Sequence, residues 1–260
     1  MAERLLHRVN PLGIATFVGF LLLWELGVRS GAVGSTYLPP PSRVLVGLKE
    51  ISASGELWTN LQHTLVSALT GWVGAAVVGV ALGMALGLFR PLWTYSMASI
   101  EVVRALPIVA FVPVAVLLLG FTSKMEIAIA FIAALWPIVL NTFAGVRAIG
   151  PRTVEVGRVL RLSRRDQIWK LRLPAATSHI IVGLRLGLTL ALVLTLVSEM
   201  VGNPAGLGFA LIQKGQALQP EQMFAYLVVV GACGIALNAV LLTAARLAFP
   251  GQMAAAGDDA

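Results

Sequence analysis

Residues able to carry chemistry are sparse in this chain of 260 residues, and most are gathered in one stretch. Residues 155–176, EVGRVLRLSRRDQIWKLRLPAA, hold Arg158, Arg161, Arg164, Arg165, Lys170 and Arg172 between two long apolar runs. A cation inside a bilayer costs roughly 2.5–3.5 kcal/mol even on the lenient insertion scale, so this stretch belongs in water. Val159, Leu160, Leu162, Ile168, Leu171 and Leu173 alternate with the charges at spacings of one, three and four, which predicts two short amphipathic helices. The bend is expected at Leu162 and Ser163. Ser163 is placed to cap the second helix, and Asp166, three residues on, favours its N-terminus. Pro174 is expected to end that helix, because a residue before proline is pushed out of the α region. The chemistry on offer is that of a surface: the loop either sets topology by its charge or docks a partner.

Elsewhere the reactive inventory is thin. No G-x-x-x-x-G-K-[ST] occurs, so the chain has no phosphate-cradling loop and cannot hydrolyse ATP by that route. Neither a nucleophile–base–orienter set nor H-E-x-x-H is found, which leaves an enzyme without support. The single cysteine, Cys233, excludes an intrachain disulfide, and it reads as a small buried hydrophobe. His7, His63 and His179 lie far apart near span ends, where wetted interfacial roles are expected rather than metal ligation. No metal site is expected. Net charge is +7 and the pI is near 10.3, but no basic stripe with interleaved aromatics appears, so nucleic acid is not an expected partner.

The elements that must position the loop are membrane spans. Composition is 58% hydrophobic and 12% charged, with a mean hydropathy of +0.87. Six spans are expected: residues 12–28, 64–88, 99–123, 127–146, 179–201 and 224–245, with 30–63 and 203–221 outside and a disordered tail at 250–260. About 20 apolar residues suffice to cross. The stretch 64–88 has no charge at all, and its Gly79, Gly83 and Gly87 form a ridge on which another helix can pack closely. Ser42 is placed to cap an outer helix through Val44, Leu45, Leu48 and Ile51. Residues 89–96 read as a turn. The third span carries Glu101 and Arg104 at pairing distance, then Pro107 and Pro113, which predict kinks or a break where irregular backbone lines a path. Asn141 in the fourth span either bonds a neighbouring helix or faces a polar path. In the fifth, Arg185 snorkels to the inner surface and Glu199 approaches the outer interface. With the loop inside, fourteen of nineteen basic residues fall on the cytoplasmic side, leaving Arg29, Arg43, Lys49, Lys124 and Lys214 outside. Both termini are then cytoplasmic.

The cadence of the loop resembles the E-A-A-x3-G-x9-I-x-L-P motif of ABC importer permeases. Glu155, Leu173 and Pro174 match it; Val156 and Gly157 replace the alanines, Arg161 stands where glycine is usual, and Leu171 replaces isoleucine. VRALPIVAFVPVAVLLLG, WPIVLNTFAGVRA, GLRLGLTLALVLTLVSEMVG and GLGFAL are similar to permeases for nitrate, taurine and alkanesulfonates over roughly residues 38–249. The resemblance implies an all-α permease of the type I, MetI-like kind with six transmembrane helices. It divides into 1–63, a first helix and outer segment, a core at 64–249 with its coupling loop at 150–176, and the tail at 250–260. It implies a docking set of Glu155, Gly157, Arg161, Leu162, Ser163, Arg164, Arg165, Asp166, Leu173 and Pro174 for a cytoplasmic ATPase, which would bind the ATP and magnesium. Arg104, Pro107, Pro113, Asn141 and Glu199 are candidates for the translocation path. An extracytoplasmic binding protein, a second copy of the chain and membrane lipid complete the expected partners. Alternatives are an ion-gradient-driven secondary transporter and a permease for a thiamine-precursor or riboflavin-type substrate.

Overall fold

A computed structural model describes residues 11–249, except 33, 35, 36, 151–154, 156, 158 and 202, and for Arg164 the backbone alone. Arg4, His7, Arg8 and the expected tail at 250–260 lie outside the described residues. In chain order the helices are α1 (Pro11–Arg29), α2 (Pro41–Ala53), α3 (Glu56–Leu88), α4 (Arg90–Ala105), a 3-10 turn (Ile108–Phe111) leading into α5 (Val112–Leu119), and α6 (Ser123–Arg147). Then come α7 (Arg164–Gln167), a π-helical turn (Ile168–Arg172), α8 (Leu173–Met200), α9 (Leu207–Gln216) and α10 (Pro220–Ala248). The fold is all-helical. Among the described residues, five segments are long and apolar enough to cross a bilayer: α1, α3, α6, Arg165–Met200 and α10. The pair Arg90–Ala105 and Ile108–Leu119, bent by 78°, makes a sixth if counted as one span.

Two compact units are present, Met1–Thr59 with Ala210–Val230, and Asn60–Phe209 with Gly231–Ala260. The sequence boundary at 63/64 falls inside α3, which is one uninterrupted helix. Within the first unit, Ser42 does not cap α2. Pro40 is the N-cap and Pro41 opens the helix, as proline can at a first turn. Glu25 of α1 takes the capping role: its carboxylate accepts the Ser42 backbone N–H at 3.0 Å and the Ser42 hydroxyl at 2.7 Å. A negative charge near a helix N-terminus is favourable there, and no local sequence pattern announces it.

The second unit is organised by α6 and α8 packed against each other and by the glycine ridge of α3. A Cβ on Gly79 would lie 2.9 Å from Ile138 Cγ2, one on Gly83 2.6 Å from Thr142 Cβ, and one on Gly87 2.7 Å from Val146 Cβ. The ridge is therefore a seam against α6, with Ala75, Ala130, Ala134, Ile138 and Ala191 as its fully buried core. Trp72 ties α3 to α8 by donating its indole N–H to the Leu184 carbonyl at 3.0 Å.

Proline accounts for three differences from the expected elements. Residues 89–96 are helical from Arg90 rather than a turn, since Pro91 sits in the first turn of α4. Pro107 does break the third span, whereas Pro113 sits in the first turn of α5 and produces no kink of its own. Pro174 does not end the loop's second helix: Leu173 keeps α geometry (φ −64°, ψ −47°) and helix runs on from Arg165 to Met200. The wide π turn is the reason. It spares the clash that a proline makes with the carbonyl four residues back, and Pro174 has no N–H to leave unpaired.

Candidate functional site

The basic loop folds as two arms around a capped bend. Glu155, Gly157 and Val159 are helical, and this arm ends at Arg161, whose φ of +49° is left-handed. The Leu162 N–H donates back to the Gly157 carbonyl at 3.0 Å, the six-to-one bond that closes a helix with a left-handed residue just past its end. Ser163 then caps the second arm. Its Oγ accepts the Asp166 N–H at 3.1 Å and donates to the Asp166 carboxylate at 2.6 Å, while Lys170 pairs with Asp166 at 2.8 Å. The Gln167 side chain donates to the Leu162 carbonyl at 3.0 Å. Gly157 is buried between the arms, since a Cβ there would stand 2.8 Å from Leu171 Cδ1 and 3.5 Å from Gln167 Cγ.

This packing turns large apolar groups outward. Val159 is 81% exposed, Leu160 63% and Trp169 61%, in a segment whose charges exclude it from lipid. Arg161 and Arg165 are exposed beside them. Exposed apolar side chains interspersed with charge are an ordinary composition of a protein-binding surface.

Arg161 occupies the one position of the bend where only glycine is free of Cβ strain. An L-residue in the left-handed region costs roughly 1–2 kcal/mol. Arg161→Gly is therefore expected to be tolerated and to raise the local stability of the loop by about 1 kcal/mol. Hydrogen exchange of the loop amides reads this directly. Faster exchange in the variant would refute the assignment of a strained bend.

The five expected path residues are not brought together. Arg104, Pro107 and Pro113 are exposed along the bend from α4 to α5, and Glu101 and Arg104 form no ion pair with each other. Asn141 spends its amide inside α6, donating to the Pro137 carbonyl at 2.8 Å, and packs where Gly183 of α8 leaves room. Arg185 is exposed on α8. Glu199, at the end of α8, is fully buried in the protein rather than wetted.

Glu199 instead anchors a buried polar cluster that sequence reasoning left scattered over span ends. Its Oε1 accepts the Thr64 hydroxyl at 2.7 Å and its Oε2 accepts the Gly208 N–H at 2.8 Å. Thr64 in turn accepts the Leu207 N–H at 2.8 Å, and Asn60 accepts the Gly206 N–H at 3.0 Å. The N-terminus of α9 is thus capped by Thr64 and Glu199. Gly206, at φ +101°, makes the loop possible, because a Cβ there would fall 2.2 Å from the Glu199 carboxyl carbon. Beside this lies Glu126, also fully buried, with His63 Nε2 at 3.1 Å from Oε1 and 3.0 Å from Oε2, and with the Asn203 amide against Oε1. His63 lies inside α3, past its first residue, Glu56. The one sequence signal for the cluster was the break at residues 203–208, whose glycines mark a close backbone approach.

Comparison with known proteins accords with these features. Residues 75–252 match the family described as the binding-protein-dependent transport system inner membrane component. The chain belongs to that family: it is a transport subunit, not an enzyme, and a multi-pass membrane protein. It is 31% identical to the Bacillus subtilis protein designated an aliphatic sulfonates transport permease, SsuC, over 82% of this chain and 78% of that one. It is 31% identical to the bicarbonate transport system permease protein CmpB of Synechococcus elongatus, over 87% and 85% respectively. Identity to the taurine transport system permease protein TauC of Escherichia coli is 26%, over 86% and 84%. Among solved structures, an inward-facing form of the MetNI methionine ABC transporter superposes with a TM-score of 0.61 at 18% identity, covering 75% of this chain and 97% of that one. That likeness gives the fold, a MetI-like permease.

Proposed function

We propose that two copies of this chain form the translocation path of an ATP-driven importer for a small anion of the sulfonate, taurine, nitrate or bicarbonate class. The observation that carries the reading is the two-armed basic loop, with Val159, Leu160 and Trp169 turned outward on a scaffold closed by Arg161 and capped by Ser163. One such loop engages one cytoplasmic ATPase, and a closed ATP site takes two ATPases, which is the argument for a two-fold pair. ATP and magnesium are bound by those partners. Rocking of the loops alternates access to the path. The positive-inside count sets the loop and both termini in the cytoplasm and the turn at residues 203–208 outside, where an extracytoplasmic receptor delivers substrate. The anion class follows from the names of the relatives.

The test is uptake into vesicles holding the chain with its ATPase and receptor. Removing ATP while the proton gradient is held constant is expected to abolish uptake of labelled anion. Uptake that persists on the gradient alone would overturn the reading and turn attention to the buried carboxylates Glu126 and Glu199 as coupling groups.

A further inference from the structure

We propose that His63, Glu126 and Glu199 form a binding site for one divalent transition-metal ion of the zinc class, which clamps α3, α6 and α8 together at one end of the unit. The proposal is independent of the transport reading. Its ligand atoms come from three helices, one from each residue, and all lie within 4.8 Å of one another. Zinc bonds nitrogen and carboxylate oxygen at about 2.0–2.2 Å, so closure of about 1 Å or less around an ion brings all three into its shell.

Charge is the first argument. Glu126 and Glu199 are both fully buried, and among the described residues neither has a lysine or arginine at ion-pair distance. Buried charges are normally paired or bound to metal. Two carboxylates, one neutral imidazole and a divalent cation sum to zero, and no other group in the cluster supplies two positive charges. Unfilled valence is the second. Both Glu126 oxygens lie against the same His63 nitrogen, but only the contact to Oε1 has hydrogen-bond geometry, and the buried Oε2 has no hydrogen-bond donor.

The surroundings are those of a ligand shell. Both oxygens of Glu199 are oriented by outer hydrogen bonds, from Thr64 and from the Gly208 N–H, as metal-bound carboxylates are. The Asn203 amide nitrogen faces His63 Nε2 at 3.4 Å, donor toward ring nitrogen, and rotating the amide puts its oxygen in place as a fourth ligand. His63, with a side chain 23% exposed, provides the way in. Nitrogen and oxygen donors without thiolate suit zinc or manganese.

The experiment uses untagged, full-length chain in its complex with partner subunits, stripped with chelator and titrated with zinc chloride. Metal per chain is measured by mass spectrometry and Tm by thermal shift. One zinc per chain is expected, with a rise in Tm that chelator reverses. Glu126→Gln keeps shape and removes charge, and should weaken zinc binding at least ~100-fold; Thr64→Val, which touches only the outer shell, should weaken it about 10–100-fold. His63→Gln, at the partly exposed ligand, guards against loss of fold in the buried variants. Unchanged zinc content in both Glu126→Gln and His63→Gln would overturn the site. So would a wild-type complex whose Tm moves with pH but not with zinc, which would mean that shared protons neutralise the cluster.

Discussion

Trp169→Asp is expected to lower ATP-driven uptake at least tenfold while leaving membrane abundance and Tm unchanged. The indole is 61% exposed in the chain, so replacing it removes little from the fold. If it seats in an ATPase groove, however, burying a large apolar side chain contributes about 1.5–3 kcal/mol. Each 1.4 kcal/mol is a factor of ten in the equilibrium constant, so docking weakens by tenfold or more. Val159→Asp, on the other arm and 81% exposed, should behave alike. Normal uptake in both variants at normal abundance would remove the docking assignment. A proline at Arg165 is a poorer probe than its place in a helix suggests: the residue lies two past the Ser163 cap, in the first turn, where proline is accepted.

Gly206→Val is expected to have the largest effect on the fold itself. The left-handed φ of +101° costs a non-glycine residue about 1–3 kcal/mol, and forcing a side chain onto the Glu199 carboxylate adds a further overpacking cost of about 1–3 kcal/mol. The sum, roughly 2–6 kcal/mol, is a large part of the stability of most domains. A clear fall in Tm in detergent and in membrane abundance should follow. Gly231→Ala serves as the control, since a Cβ there meets nothing within 4 Å. A Gly206→Val chain with the Tm of the control would show that the loop at 203–208 does not wrap Glu199 as described.

Composition and spacing alone determined that the chain is a multi-pass helical membrane protein, that residues 155–176 form a water-exposed loop bent at Ser163, and that Gly79, Gly83 and Gly87 are a packing seam. Those properties are local or periodic: a charge run is excluded from lipid wherever it stands, Ser163 and Asp166 interact across three residues, and every fourth residue of a helix shares a face. Only the tertiary structure decided the rest, for reasons that span many residues. Whether a proline opens a helix, as Pro41, Pro91 and Pro113 do, breaks it like Pro107, or rides through like Pro174 depends on the turn that precedes it. Glu25 caps a helix seventeen residues away. Glu199 reads as a span-end charge because it is polar and near an end, yet Thr64 and the Gly208 amide from other segments converge on it, and His63 and Asn203 converge on the buried Glu126 beside it. Such convergence leaves no period in the sequence, since hydrogen bonds between helices are set by which faces meet.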